Sequence, residues 1–302
     1  MKITVTGATG LIGPRLVAAL RERGDHVTVL SRNPERASSA LGVEAIGWDP
    51  LRDPAPANGL TGRDAVVHLA GEPVAQRWST RAKQAIRDSR EAGTRNLVAG
   101  IAALSAETRP SVLVSSSAVG YYGKHGAERV SEATPAGSDF LAGVCVAWER
   151  EAMAATALGL RVALIRTGVV LDKTGGALKT MLPPFRAGVG GPVAGGNQYL
   201  PWIHADDVVG MYLAAIDDTR WAGPANATAP EPVTNKEFSK ALGKALHRPA
   251  VAPVPALALR LLYGEMAEIV TEGQRAVPEA ALSHGYTFKH PELAAALASA
   301  LA

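Results

Sequence analysis

Cysteine is nearly absent from the sequence. The single residue, Cys145, has no partner for an intramolecular disulfide, which excludes a disulfide-stapled secreted scaffold and fits a reducing compartment. Runs of like charge are missing too: 31 Lys and Arg are interspersed with 28 Asp and Glu, for a formal net charge of +3. The basic isoelectric point near 9.0 therefore describes a solvated surface and not a nucleic-acid-binding face. No uninterrupted apolar run approaches the roughly eighteen residues that a membrane span requires. Nor does a charged-then-apolar leader precede the first strand, because Met1 and Lys2 run straight into Ile3-Thr4-Val5-Thr6. These absences predict a cytoplasmic protein that binds neither nucleic acid nor membrane.

The 302 residues, 47% of them hydrophobic, suffice for one large domain or a domain and a half. There is no internal repeat and no low-complexity segment. β-Branched runs near Lys2–Thr6, His26–Ser31, Asp64–Leu69, Val112–Ser116 and Arg161–Arg166 alternate with amphipathic stretches near Leu11–Arg23, Ser79–Leu104 and Asp139–Leu158. That alternation predicts an α/β protein, a parallel sheet with right-handed helical crossovers. The proline-rich stretch from Asp49 to Gly59 reads as a surface loop. After Gly168 the texture changes. Gly175-Gly176, Pro183-Pro184 and the run from Gly188 to Gly196 read as movable loops opening a second lobe, which ends in a helical tail rich in Ala and Leu.

The segment Thr6-Gly7-Ala8-Thr9-Gly10-Leu11-Ile12-Gly13 directly follows the first strand and opens a helix. Glycines at this spacing allow a tight turn, close approach of backbone to a pyrophosphate and close helix-to-strand packing, while the helix start offers N–H groups to the anion. Dinucleotide binding is the expectation. At the end of the second strand, Val29-Leu30-Ser31-Arg32-Asn33 holds no acid to accept from a ribose 2′-OH. Ser31 and Arg32 suit a 2′-phosphate instead, so the predicted cofactor is NADP(H). The run Asp64 to Gly71 ends, after Leu69, in the small residues Ala70 and Gly71, which let a cofactor lie against the backbone. His68, inside that apolar strand, reads as a hydrogen-bonded core histidine.

Several segments together resemble the extended, epimerase/dehydratase-like branch of the short-chain dehydrogenase/reductase superfamily. They are TGATGLIG at Thr6–Gly13, DAVVHLAG at Asp64–Gly71, SSSAVGYYG at Ser115–Gly123 and WIHADD at Trp202–Asp207. FLAGVCVAWE at Phe140–Glu149, RTGVVLDKTGGAL at Arg166–Leu178, PFRAGVGGP at Pro184–Pro192 and GEMAE at Gly264–Glu268 resemble an atypical "epimerase family protein" subgroup with a C-terminal domain of unknown function. The resemblance implies a Rossmann-type doubly wound sheet binding NADP, with a smaller C-terminal substrate lobe. We divide the chain into a Rossmann domain over 1–170, completed by 204–228, and a smaller lobe over 171–203 and 229–302. The resemblance also adds Ser115, Arg90 and Val170 to the cofactor contacts Gly7, Thr9, Gly10, Leu11, Ile12, Gly13, Ser31, Arg32, Leu69, Ala70 and Gly71.

The branch normally uses a tyrosine with a lysine four residues later on one helix, which lowers the phenol pKa for proton exchange. No tyrosine here has a lysine at that spacing, and the helix that should carry the pair reads Phe140 to Glu149 without phenol or ammonium. Ser117, Tyr121 and Tyr122 are the remaining candidate donors, with Lys124 or His125 assisting, although the tyrosines also suit simple packing. Cys145 between two valines reads as a core residue. His204, Asp206 and Asp207 are too close in sequence for metal geometry and read as a helix N-cap, so no metal is expected. Three functions stay open: an NADP(H)-dependent oxidoreductase acting on an unidentified small polar substrate beneath the Gly188–Gly196 loop, a nucleotide-sugar epimerase or dehydratase, or a non-catalytic NADPH sensor. Tyr199, Trp202, Phe185 and Arg186 read as a pocket wall, which favours an enzyme. The Ser79–Leu104 stretch is long enough to pair helices in a homodimer.

Overall fold

The structure, a computed structural model, describes residues 1–302 apart from the side chain of Leu262. Seven parallel strands form its central sheet: β1 (Lys2–Thr6), β2 (His26–Ser31), β3 (Glu44–Gly47), β4 (Ala65–His68), β5 (Val112–Ala118), β6 (Arg161–Thr167) and β7 (Gly223–Ala227). Their spatial order is β7-β6-β5-β4-β1-β2-β3, so the chain reverses direction across the sheet between β1 and β4. That reversal opens a crevice at the carboxyl ends of the strands, where α/β sheets receive ligands.

Burial on both faces makes the strands near-continuous apolar runs. On one face Ile3, Val5, Val29 and Val67 pack with Leu16 and Leu20 of helix α1 (Gly13–Glu22). On the other, Val66, Leu113 and Leu164 pack with Leu97 and Ile101, which lie on a long helix over Thr80–Ala102; we number it α3, after α2 (Pro34–Leu41). Helix α4 (Phe140–Met153) lies beside α3 and starts at Asp139, whose carboxylate accepts from Ala142 N–H.

The sequence reading found five of these strands and missed β3, β7 and α2. It read Asp49 to Gly59 as a loop on the surface, whereas Ala55 and Gly59 are buried. Ala55 N–H donates to the Asn96 carbonyl and Asn96 Nδ2 to the Pro50 carbonyl, so the prolines shape a loop pinned to α3.

The C-terminal lobe has its own core, built from Leu171, Phe185, Trp202, Phe238 and Leu297 among others. It includes α5 (Gly176–Arg186), α7 (Asn235–Ala245), α8 (Ala256–Tyr263), α9 (Ala267–Thr271), α10 (Glu279–Ser283) and α11 (Leu293–Leu301), while α6 (Ala205–Asp217) packs on the sheet against α1. Of the expected pocket wall, Phe185 and Trp202 are buried in this core, whereas Tyr199 is half-buried and Arg186 exposed. The run from Gly188 to Gly196 packs down on the lobe, because a Cβ at Gly190 would strike the Phe185 ring and one at Gly191 the Ala252 carbonyl oxygen. Its glycines provide close packing there, and the run lines neither of the two cavities described below.

Candidate functional site

Strand β1 ends at the crevice in the glycine turn. Gly7 has φ of +67°, and a Cβ on it would lie 2.5 Å from both Ala70 N and the Leu69 carbonyl carbon. Only glycine lets the turn lie this close to the end of β4. A Cβ at Gly13 would meet the Ala8 carbonyl oxygen at 2.2 Å, so the helix start is equally tight. No side chain caps α1, Pro14 occupies its first turn and no acid stands there. The positive helix end is thus left open for an anion, as a pyrophosphate needs.

A cleft of about 320 Å3 lies over this turn. Of the sequence-predicted residues, Gly7, Thr9, Gly10, Ser31, Arg32, Leu69, Ala70 and Gly71 line it. No acid does. Ser31 Oγ accepts from Asn33 N–H at 3.1 Å, while Arg32 is exposed and forms no hydrogen bond or ion pair among the described residues. Ala8, Val29, Leu30, Trp48, Pro50 and Pro73 complete the cleft; Trp48 was missed because it follows the unread strand β3. The signal available was an aromatic residue just after the apolar run Ala45-Ile46-Gly47.

The other predicted contacts sit around the cleft. Leu11 lies under Gly175 and Gly176, whose Cβ positions would be 2.7 and 2.8 Å from its methyl carbons. The Val170 carbonyl faces the same Gly176 position at 4.0 Å, although the Val170 side chain is buried. Ile12 is the N-cap residue of α1. Ser115 is buried beside His68 on the neighbouring strand. Arg90 reaches over from α3, its guanidinium carbon 3.2 Å from the Gly71 Cβ position and 5.0 Å from the Trp148 ring centroid. Arg90 Nη1 donates to the Glu72 and Ile86 carbonyls at 3.0 and 3.2 Å, and burial lowers its pKa. His68 is a core residue, bonded to Thr6 Oγ1 at 2.7 Å and Thr94 Oγ1 at 3.0 Å.

A second cavity, of about 400 Å3, opens next to the loop after β5. Gly120, Phe140 and Leu141 form one wall; Glu265, Glu268 and Glu272 of the C-terminal lobe form the other. Lys83 pairs with Glu265 and Lys124 with Glu272 across it, and Trp78 packs edge-on to Phe140 with ring centroids 5.1 Å apart.

The three candidate donors lie in or against a buried polar network. Ser117 Oγ donates to Glu149 Oε1 at 2.6 Å, and Arg166 holds both oxygens of the same carboxylate at 2.8 Å. Arg166 Nη1 also donates to Tyr122 Oη at 3.0 Å, and that hydroxyl donates to Asn226 Oδ1 at 2.6 Å. Burial pushes the Tyr122 phenol up to about 12, against the opposing pull of Arg166. For Arg166 burial acts against the charge, but Glu149 outweighs it and the pKa rises. Tyr121 is half-buried, its ring centroid 3.5 Å from the Arg166 guanidinium carbon, and its hydroxyl has no partner among the described residues. On α4, Leu141 and Cys145 stand four residues apart with no phenol or ammonium between them. Burial, with Glu149 adding to it, raises the Cys145 thiol to about 12, so it is protonated and inert. His204 caps α6, its Nδ1 accepting from Asp206 N–H at 3.1 Å.

Residues 3–226 match the NAD dependent epimerase/dehydratase family, and residues 254–300 match a domain of unknown function, DUF1731. The chain is 43% identical over 291 residues to the "Epimerase family protein SDR39U1 homolog, chloroplastic" of Arabidopsis thaliana, covering 96% of this chain and 84% of that protein. A crystal structure of the human epimerase family protein SDR39U1 with NADPH superimposes with a TM-score of 0.86 at 33% identity, covering 99% of this chain and 98% of that one. A nucleoside-diphosphate sugar epimerase from Corynebacterium glutamicum superimposes with a TM-score of 0.79 at 35% identity, covering all of this chain and 58% of that one.

Proposed function

The chain belongs to the NAD dependent epimerase/dehydratase family, and from that premise we propose that it is an NADP(H)-dependent oxidoreductase or epimerase acting on a small polar substrate in the cavity of about 400 Å3. The observation that carries this reading is the glycine turn, pressed against Leu69 and Ala70 at an uncapped helix start, with the unpaired guanidinium of Arg32 at the rim of the same cleft. A relative with 33% identity over nearly the full chain binds NADPH, which agrees with the absence of an acid after β2.

The sequence-predicted residues would divide the work as follows. Gly7, Thr9, Gly10, Leu11, Ile12 and Gly13 receive the pyrophosphate at the positive end of α1. Ser31 and Arg32 hold the 2′-phosphate. Leu69, Ala70 and Gly71 lie along the ribose, and Arg90, Ser115 and Val170 bound the nicotinamide side. The cofactor supplies or accepts hydride when bound. A proton donor must come from the chain. Tyr121 is the best placed of the three candidates, because it adjoins Gly120 in the cavity wall and its hydroxyl is not already engaged, whereas Ser117 and Tyr122 are committed to Glu149 and Asn226.

We assign cofactor binding to residues 1–170 with 204–228, and the substrate wall to the lobe over 171–203 and 229–302, which contributes Glu265, Glu268 and Glu272. No helix among the described residues is long and apolar enough to cross a membrane. With a lone buried cysteine, this supports a cytoplasmic location. A homodimer through α3 belongs to the same proposal and is tested by sedimentation; a monomer at high concentration rejects it. Titration with NADPH, NADP, NADH and NAD tests the cofactor assignment. Selective binding of the phosphorylated pair is expected, and equal affinity for all four overturns it. Absence of turnover with every polar carbonyl or nucleotide-sugar substrate offered, despite tight NADPH binding, would favour the sensor reading, which the missing Tyr-Lys pair keeps in play.

A further inference from the structure

The end of the chain returns across the start of α6. Asp207 receives it: the main-chain N–H groups of Lys289 and His290 donate to its two carboxylate oxygens at 2.6 and 3.0 Å, and Tyr286 Oη donates to its carbonyl at 3.0 Å. Held in this way, the His290 ring lies with its centroid 3.8 Å from that of His204. Its Nε2 is 3.4 Å from Asp206 Oδ2, and His204 Nδ1 is 3.6 Å from the same oxygen.

We propose that His204, Asp206 and His290 form a binding site for a divalent transition-metal cation, with zinc the best match. One donor atom from each lies within 4.8 Å of the others. Two bonds of about 2.0–2.2 Å meeting at a tetrahedral angle place neighbouring donors roughly 3.4 Å apart, close to the 3.4 and 3.6 Å separations here. Two imidazoles and one carboxylate suit zinc better than the all-oxygen preference of calcium or magnesium. A solvent molecule would take the fourth position, since Asp206 is 41% and His290 21% exposed.

The surroundings favour a cation. Asp172, Asp206 and Asp207 cluster here, and the guanidinium among them, Arg15, is committed to Asp172 Oδ2 at 2.7 Å. Arg15 touches Asp206 only at 3.5 Å and through the other oxygen, Oδ1, so Oδ2 stays directed at the two rings. His204 Nε2 is buried without a hydrogen-bond partner, so the ring is held by the single 3.1 Å contact from Asp206 N–H to Nδ1. Coordination at Nδ1 keeps the proton on Nε2 and displaces the cap contact from Asp206 N–H, so the metal bond must outweigh the loss of that cap. Asp207 acts as the positioning residue, fixing the backbone that carries the distant ligand. The sequence reading expected no metal because His204, Asp206 and Asp207 are too close together to surround an ion. The third ligand comes from the far end of the chain.

The test is calorimetric titration of the full-length protein with zinc chloride after treatment with a chelator, accompanied by cobalt substitution. One equivalent of zinc and the visible absorption of tetrahedral cobalt are expected. His290→Ala and Asp206→Asn should each weaken zinc binding at least about tenfold. Circular dichroism establishes that each variant is folded, and His290→Gln replaces His290→Ala if the smaller side chain unfolds the tail. Failure of the native protein to bind zinc at one site overturns the proposal, as does uptake that survives intact in folded His290 and Asp206 variants.

Discussion

Tyr122 Oη donates to Asn226 Oδ1 at 2.6 Å, joining the loop after β5 to the outermost strand of the sheet. The same asparagine donates through Nδ2 to the Val277 carbonyl at 2.9 Å, so one buried side chain ties together the sheet and the C-terminal lobe. Tyr122→Phe would leave the Asn226 oxygen without its donor. We expect a loss of about 1–3 kcal/mol in urea denaturation, the cost of an unsatisfied buried acceptor. Tyr121→Phe should stay within about 0.5 kcal/mol, as its hydroxyl has no protein partner.

Glu149 and Arg166 are both buried and meet through two hydrogen bonds of 2.8 Å. Removing the carboxylate strands a charge inside the protein. Glu149→Ala is expected to destabilise the fold by about 3–5 kcal/mol, measured by the same denaturation. A change below about 1 kcal/mol would show that water reaches the pair.

Arg32 should determine nucleotide preference. Hydrogen bonds to a charged group contribute about 1.5–3 kcal/mol, so Arg32→Ala should weaken NADPH binding roughly ten- to hundredfold and leave NADH binding unchanged. Isothermal titration with both nucleotides reads the difference. Equal weakening of both would place Arg32 away from the 2′-phosphate.

The pH dependence of stability should include His68. Burial, assisted by Arg90, lowers its pKa from 6.5 to about 4. The unfolded chain takes up this proton as pH falls through 6.5, whereas the folded chain refuses it until about 4. Its contribution is therefore complete above pH 6.5 and lost on descent toward pH 4, with a slope of at most about 1.4 kcal/mol per pH unit. His68→Gln should flatten the pH profile of unfolding free energy in that window, even if the variant is less stable throughout. An unchanged slope would mean that His68 titrates in the folded protein as it does in the unfolded chain, with no depression of its pKa.

The parts legible in the sequence were the local ones. The glycine turn could be read because strand, turn and helix follow one another within a dozen residues, and its contacts with Leu69 and Ala70 follow from parallel pairing of β1 with β4. His68 could be read as a core residue because its strand is otherwise apolar. Strands β3 and β7 gave little signal: Glu44-Ala45-Ile46-Gly47 has one β-branched residue and Gly223-Pro224-Ala225-Asn226-Ala227 none. The proline and glycine of β7 are tolerated because it is an edge strand. The network from Ser117 through Glu149, Arg166 and Tyr122 to Asn226 was out of reach, since its members come from β5, α4, β6, the loop after β5 and β7. Glu265 and Glu272 were hidden as cavity residues for the same reason, although GEMAE had singled out their neighbourhood.

The position of β7 at the outer edge also sets the order in which the chain is completed during synthesis. Its partner β6 ends at Thr167, and β7 does not begin until Gly223. As the chain leaves the ribosome, six strands can assemble while the exposed rim of β6 presents its row of unpaired backbone groups to the cell. Such rims recruit other strands and promote aggregation. The rim of β6 is covered only once β7 has paired with it and Asn226 has met Tyr122. Substitutions that slow the docking of β7 should reduce the yield of native protein in the cell more than they reduce the stability of molecules that have finished folding.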